Sequence, residues 1–236
     1  MTVKKIGRAQ VVKRILAHYE EPRYLEVGVC AARTFDQIPA TEKVAVDPKF
    51  RFDPAAEDRQ APGVSYHQVT SDEYFGSIVG ADELFDVIYL DGLHTVEQTL
   101  RDLLNALEHL QPRGVVVIDD VLPPTELAAI ADRQEFLRVR REAGREEEKA
   151  WMGDVFRLVY FIDTFCQQLS FGVIDNNHGQ AVVWRQRRET VTPRGLAEVG
   201  GLTFAELDQD REALRLAPFG QILRQVRRDL GLRTPD

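Results

Sequence analysis

The sequence predicts an α/β protein with a doubly wound, mostly parallel, seven-stranded sheet that ends in a C-terminal antiparallel β-hairpin. Three observations predict it. Five short apolar runs alternate with helix-type segments between Arg23 and Asp120, the pattern of a parallel sheet with helices on its faces. Several of those runs stop at an acid or a glycine. Further on, "LSFGVI" and "AVVWRQ" flank the turn "DNNHG", which reads as a hairpin added to one edge.

The elements follow in order. "RAQVVKRILAHYEE" puts Val11, Val12, Ile15 and Leu16 on one helical face, and Pro22 ends it. "RYLEVGV" is the first strand, "ARTFDQI" a short helix and "KVAVD" the second strand. "FRFDPAAEDRQAPG" is a loop, "VSYHQVT" the third strand and "SDEYFGSIV" a short helix. "FDVIYLD" is the fourth strand. Thr95 and Gln98 suit a capping box for the helix "VEQTLRDLLNALEHL". "QPRG" is a turn before the fifth strand, "VVVIDD". A loop and a heavily charged helix follow, then the apolar helix "GDVFRLVYFIDTF" and the hairpin. The expected organisation is a main domain over residues 1–188, N-terminal helix included. Residues 189–236 form a helical extension, packed on that domain or used as the contact of a homo-oligomer.

Composition narrows the partners. A net charge of -8 over 236 residues argues against a general nucleic-acid or anionic-membrane binder. The two cysteines, Cys30 and Cys166, make neither a metal motif nor a disulfide framework, so a reducing cytoplasm is expected. The first residues lack the apolar core of a signal peptide, and no apolar run reaches membrane-spanning length.

In an open parallel sheet, ligands bind at the carboxyl ends of the strands. Gly28 follows the first strand and permits close backbone approach there. Asp47 ends the second strand 19 residues later, near the spacing of roughly 20 expected of an acid that accepts ribose hydroxyls. Ser71 and Asp72 follow the third strand. The alternative is a tight turn plus a capping aspartate. A dinucleotide is disfavoured, and with it an NAD-dependent oxidoreductase: Cys30 and Arg33 stand where the glycines of G-x-G-x-x-G would cradle a pyrophosphate.

"YLEVGVCAARTF", "VAVDPKF" and "LQPRGVVVIDD" resemble the motifs of class I S-adenosylmethionine-dependent methyltransferases, over roughly Tyr24 to Arg185. The resemblance implies a Rossmann-like fold. It implies that Glu26 and Gly28, with Val29 beside them, face the methionine part of S-adenosyl-L-methionine. Asp47 would hold the ribose, Ser71 and Asp72 would sit near the adenine, and Asp91 would border the cofactor. The pattern departs from the family at Cys30 and Ala32, and Arg113 replaces a glycine before strand five.

Asp91 ends strand four, and Asp119 and Asp120 end strand five. Neighbouring strands lie ~4.8 Å apart, so three carboxylates there repel unless neutralised. Mg²⁺, or another divalent cation, would solve this, since it prefers carboxylate, water and substrate oxygens. His94, three residues after Asp91, can take a proton from a hydroxyl polarised by such a cation. The bland readings are turn-capping aspartates and a helix-entry histidine. "DGLHT…DD" resembles metal-dependent sugar O-methyltransferases of natural-product biosynthesis, and that resemblance implies Asp91 as ligand and His94 as base. The expected function is transfer of a methyl group to a hydroxyl of a small molecule, a sugar or glycosylated natural product first. A catechol-type acceptor is second, and a non-catalytic S-adenosylmethionine-binding protein is the rival of another class. Trp151 and Asp154 are weaker candidates for the acceptor side, and His178 reads as a turn residue.

Overall fold

The computed structural model describes residues 5–234. One sheet runs through it. Its strands are β1 (Arg23–Val27), β2 (Glu42–Val46), β3 (Val64–His67), β4 (Phe85–Leu90), β5 (Leu110–Ile118), β6 (Leu169–Ile174), β7 (Ala181–Arg185) and β8 (Leu216–Ala217). The spatial order is β3-β2-β1-β4-β5-β7-β6-β8. Strands β1 to β5 pair in parallel, while β7 runs antiparallel to both β5 and β6. The short eighth strand adds Leu216 and Ala217 beside Val173 and Ile174 at the far edge. Strand order reverses between β1 and β4, so their carboxyl ends open a crevice there.

The helices are α1 (Arg8–Leu16), α2 (Ser71–Glu73), α3 (Val96–Glu108), α4 (Arg133–Glu142), α5 (Phe156–Phe165), α6 (Leu196–Gly201), α7 (Phe204–Gln209) and α8 (Phe219–Leu230). Alternation along the central strands splits the core in two. Leu25, Val27, Ile88, Leu90, Val116 and Ile118 join the cluster that includes α3 and α5. Tyr24, Val87, Tyr89, Val115 and Val117 join the cluster that includes α1 and α8. Both faces are covered, which is why these strands read as unbroken apolar runs.

Three local expectations change. "ARTFDQI" gives only a 3₁₀ turn, Phe35–Gln37. Cys30 (φ 50°) and Ala32 (φ 57°) hold left-handed backbone just before it, which an α-helix cannot include. "QPRG" lies inside β5: Phe85 faces Leu110 but Val87 faces Val115, so the extra residues bulge out of the ladder. Only half of the capping box forms. Thr95 Oγ1 accepts from the Gln98 amide (3.4 Å), while the Gln98 side chain turns to Ser71, Asp72 and Asp102.

The segment after residue 188 closes onto the sheet. A Cβ added at Gly172 in β6 would sit 3.1 Å from Ile222 of α8, and Trp184 Nε1 donates to Asp229 (3.1 Å). Among the described residues, no helix is long and apolar enough to cross a membrane.

Candidate active site

A cavity of about 790 Å³ opens at the crevice. Its lining includes Glu26, Gly28, Val29, Asp47, Ser71, Asp72, Asp91, His94 and Asp120. Asp119 is absent from it.

On the β1–β2 side, Gly28 has φ 90°, and a Cβ there would lie 1.9 Å from the Asp91 carbonyl oxygen. Only glycine fits, because the β4 exit crosses over it; approach to a ligand is not the first reason. Asp47 is buried, and each carboxylate oxygen accepts one backbone amide, from Cys30 (2.8 Å) and Lys49 (2.7 Å). A carboxylate offers about four acceptor sites, so a diol still finds a place on each oxygen. Glu26 is enclosed and accepts from the Tyr24 hydroxyl (2.6 Å). Burial pushes its carboxyl up to about 8, against the opposing pull of Tyr24 and Lys43. Across the cavity, Gln98 Nε2 ties Ser71 (3.2 Å) to Asp72 and Asp102 (both 3.1 Å).

On the β4–β5 side, the ligand atoms that gather are those of Asp91, His94 and Asp120, all within 4.8 Å of one another. This set differs from the expected Asp91, Asp119 and Asp120. Asp119 is sealed beneath the cavity, where it accepts from the Tyr89 hydroxyl and the Asp120 amide (3.0 Å). Burial, then the Asp120 charge, pushes its carboxyl up to about 7. Asp91 is raised well above the ordinary carboxylate range by burial and by Asp119 and Asp120, with Arg8 opposing.

His94 has left-handed backbone (φ 59°), which costs roughly 1–2 kcal/mol in a non-glycine residue. Its neighbours hold it there. The ring stacks on Trp151 with centroids 4.9 Å apart and planes 1° from parallel. Its Nδ1 lies 2.9 Å from Asp120 Oδ2 and 3.1 Å from the Trp151 carbonyl. Both partners accept, so Nδ1 carries the proton and Nε2 keeps the lone pair. Nε2 sits 3.6 Å from Asp91 Oδ1. Burial works against the charged ring, but Asp120, the Trp151 carbonyl and Asp119 outweigh it, and the pKa is raised.

Three contributors lie far from these motifs in sequence. Arg8, the first residue of α1, reaches Asp120 Oδ1 (3.0 Å) and Asp119 Oδ2 (2.6 Å). Gly153 (φ 62°) would place a Cβ 1.8 Å from the His94 carbonyl oxygen, so residues 151–153 lie flat on the His94 loop. His178 in the hairpin turn also lines the cavity, 3.9 Å from Asp120. Trp151, a candidate for the acceptor side, lines the cavity through its stack on His94. Asp154 turns away: it accepts from the Val96 amide (2.9 Å) and pairs with Arg157 (2.7 Å), capping α3.

A sequence-family model described as a methyltransferase domain matches residues 26–121. The match spans Glu26, Gly28, Asp47, Asp91 and the Asp119–Asp120 pair. Over those residues the chain is similar to a methyltransferase domain. Among curated proteins, none matches the chain. Solved structures give distant likenesses. A caffeoyl-CoA O-methyltransferase candidate from Staphylococcus aureus is 14% identical over 75% of this chain and 82% of its own, with a TM-score of 0.49. The O-methyltransferase TomG from Streptomyces achromogenes, in complex with SAM, is 15% identical over 75% and 78%, with a TM-score of 0.48. The N-methyltransferase NodS from Bradyrhizobium japonicum is 15% identical over 76% and 93%, with a TM-score of 0.44. At these identities and scores, they say nothing about the acceptor.

The two halves of the cavity meet at Asp91. The β1–β2 half offers a buried diol acceptor, Asp47, and a buried acid, Glu26. The β4–β5 half offers a histidine with a fixed tautomer between two carboxylates. Oxygen and imidazole donors suit a hard or borderline divalent cation. Arg8, however, already engages the Asp120 oxygen that His94 leaves open.

Proposed function

We propose that this protein transfers the methyl group of S-adenosyl-L-methionine to a hydroxyl of a small molecule, with His94 as the general base. The observation that carries this is the fixed tautomer. Asp120 and the Trp151 carbonyl hold Nδ1–H, which leaves Nε2 able to take a proton beside Asp91. The acceptor oxygen then attacks the methyl carbon in line with the sulfur. The C–S electron pair leaves on S-adenosylhomocysteine, and the hydroxyl proton rests on Nε2. Asp47 binds the ribose, Ser71 and Asp72 flank the adenine, and Glu26, Gly28 and Val29 border the methionine arm.

A divalent cation, Mg²⁺ first, is the proposed assistant, held by Asp91 and Asp120 with His94 alongside. Bound there, it would supply Lewis-acid polarisation of the acceptor hydroxyl. Asp119 then acts from behind, orienting Asp120 through its amide. The acceptor class is a sugar or glycosylated natural product, supported by the Asp-x-x-His spacing, with a vicinal diol such as a catechol as the alternative.

The test is methyl transfer across sugar and diol acceptors, with and without EDTA, in wild type and His94→Gln. The expected result is turnover that falls in EDTA and drops by at least about 10²-fold in the variant. Full turnover in EDTA would remove the cation, and normal turnover in His94→Gln would remove the base. Cofactor binding with no transfer to any acceptor would favour a binding protein.

A further inference from the structure

The three carboxylates that meet at β4 and β5 need positive charge, and the protein already supplies one. Arg8 Nη2 donates to Asp120 Oδ1 (3.0 Å), and Arg8 Nε lies 2.6 Å from Asp119 Oδ2. The other Asp120 oxygen faces His94 (2.9 Å). Asp120 is thus divided between a guanidinium and an imidazole, and a metal ion on Oδ1 would sit directly against the like charge of Arg8.

Arg8 is also built to leave. Its side chain is 34% exposed and borders the cavity, whereas Asp120 is nearly enclosed. Its helix is anchored by other residues: Val11, Val12 and Ile15 are fully buried under α1. The side chain can swing toward solvent while α1 stays docked. Arg188 shows the contrast. Its side chain is 3% exposed, and Asp163 and five backbone carbonyls around it fix it in place.

We propose that Arg8 is the resident, displaceable counter-cation of the acceptor site, and that a divalent cation binds only by taking its place on Asp120. Without the cation, Arg8 keeps Asp119 and Asp120 in position and so keeps Asp120 on His94. With it, Arg8 moves aside and Asp120 Oδ1 becomes a ligand. The proposal rests on the cation site suggested above and deepens it, because Arg8 sets how tightly that site binds. A site closed by Arg8 most of the time has its apparent affinity lowered by the fraction that is open.

The experiment is a calorimetric Mn²⁺ titration of the full chain, as wild type, Arg8→Met, Arg8→Lys and Asp120→Asn. Arg8→Met is expected to bind one Mn²⁺ at least about tenfold more tightly than wild type, the change that freeing a site closed nine-tenths of the time would give. Arg8→Lys keeps a displaceable charge and stays near wild type, and Asp120→Asn abolishes the site. Thermal melts give an independent reading. Arg8→Met melts below wild type without metal and is restored by Mn²⁺, while wild type shifts little. If Arg8→Met folds only when Mn²⁺ is present, the proposal is supported. If its affinity matches or falls below that of wild type, or if Mn²⁺ neither binds nor rescues it, the proposal is overturned. None of these readings needs methyl transfer. Competition seen without turnover would sink the enzymatic reading alone. Turnover with unchanged Mn²⁺ affinity in Arg8→Met would sink the Arg8 assignment alone.

Discussion

Glu26 is a buried acid with one hydrogen-bonded partner, the Tyr24 hydroxyl (2.6 Å), and burial moves its carboxyl up to about 8. At pH 7 it is therefore mostly neutral in the ligand-free protein. A raised folded-state pKa means stability that is complete below the unfolded value and lost as pH rises through the folded one. For Glu26 that window runs from its ordinary 4.5 to about 8. In the proposed pose the cofactor's methionine ammonium comes to this acid and favours its ionised form. Cofactor binding at pH 7 should then release most of one proton. Calorimetry in two buffers of different ionisation heat would show it, and Glu26→Gln would abolish it. Binding that exchanges no proton would rule out the contact.

His94 gives a second pH signature. Its pKa is raised, chiefly by Asp120 working against burial, and the base must be neutral. The rate should fall on the acid side, with its midpoint above the ordinary 6.5. A profile flat down to pH 6 would contradict the assignment. Much of this site was legible because acids and glycines at strand ends are visible in a sequence. The Asp119–Asp120 pair was legible only as a pair. The strand ends at Ile118 and the backbone turns left-handed at Asp120 (φ 60°), so Asp119 faces Tyr89 while Asp120 lines the cavity. Arg8 carried no signal at all, since 112 residues separate it from Asp120.

Among the elements, the segment 151–153 decides how firmly the base is held. Trp151 stacks on the His94 ring, its Nε1 is fixed by the Ile130 carbonyl (2.7 Å), and Gly153 lies against the His94 carbonyl. Alanine at 153 would require left-handed backbone and put a Cβ 1.8 Å from that oxygen. The two loops must separate. Gly153→Ala should destabilise the fold by about 3 kcal/mol in urea unfolding. It should also cost at least about 10²-fold in turnover, because a base moved by roughly 1 Å loses that much. Affinity for S-adenosylhomocysteine should hold, since the β1–β2 half is untouched. Equal losses in turnover and cofactor affinity would mean general unfolding instead. The strands were readable because both faces of the sheet are covered. The helix expected after β1 was not: the left-handed turns at Cys30 and Ala32 occupy residues that favour φ < 0, so nothing in their identity announces the break.

For the molecule as a whole, the question is whether residues 189–236 are an appendage. Their composition reads as a helical extension, yet their packing joins them to the sheet. Strand β8 extends the edge beside β6. Helix α8 buries Phe219, Ile222, Leu223, Val226 and Leu230 in the same cluster as α1, Val117, Val182 and Trp184. The buried indole N–H of Trp184 finds its acceptor there, in Asp229. Truncation after residue 188 would expose that face of β6 and β7. Removing five large apolar side chains from a core costs roughly 1.5–3 kcal/mol each, a sum comparable to the roughly 5–15 kcal/mol that stabilises a typical domain. We therefore expect the chain cut at residue 188 to be insoluble or molten, with weak near-ultraviolet circular dichroism and rapid proteolysis. A truncated chain that melts cooperatively and binds S-adenosylhomocysteine would instead make residues 189–236 a separable extension. Residues 1–188 would then fold without them, and α1 would have to hold Arg8 over Asp120 without α8 beside it.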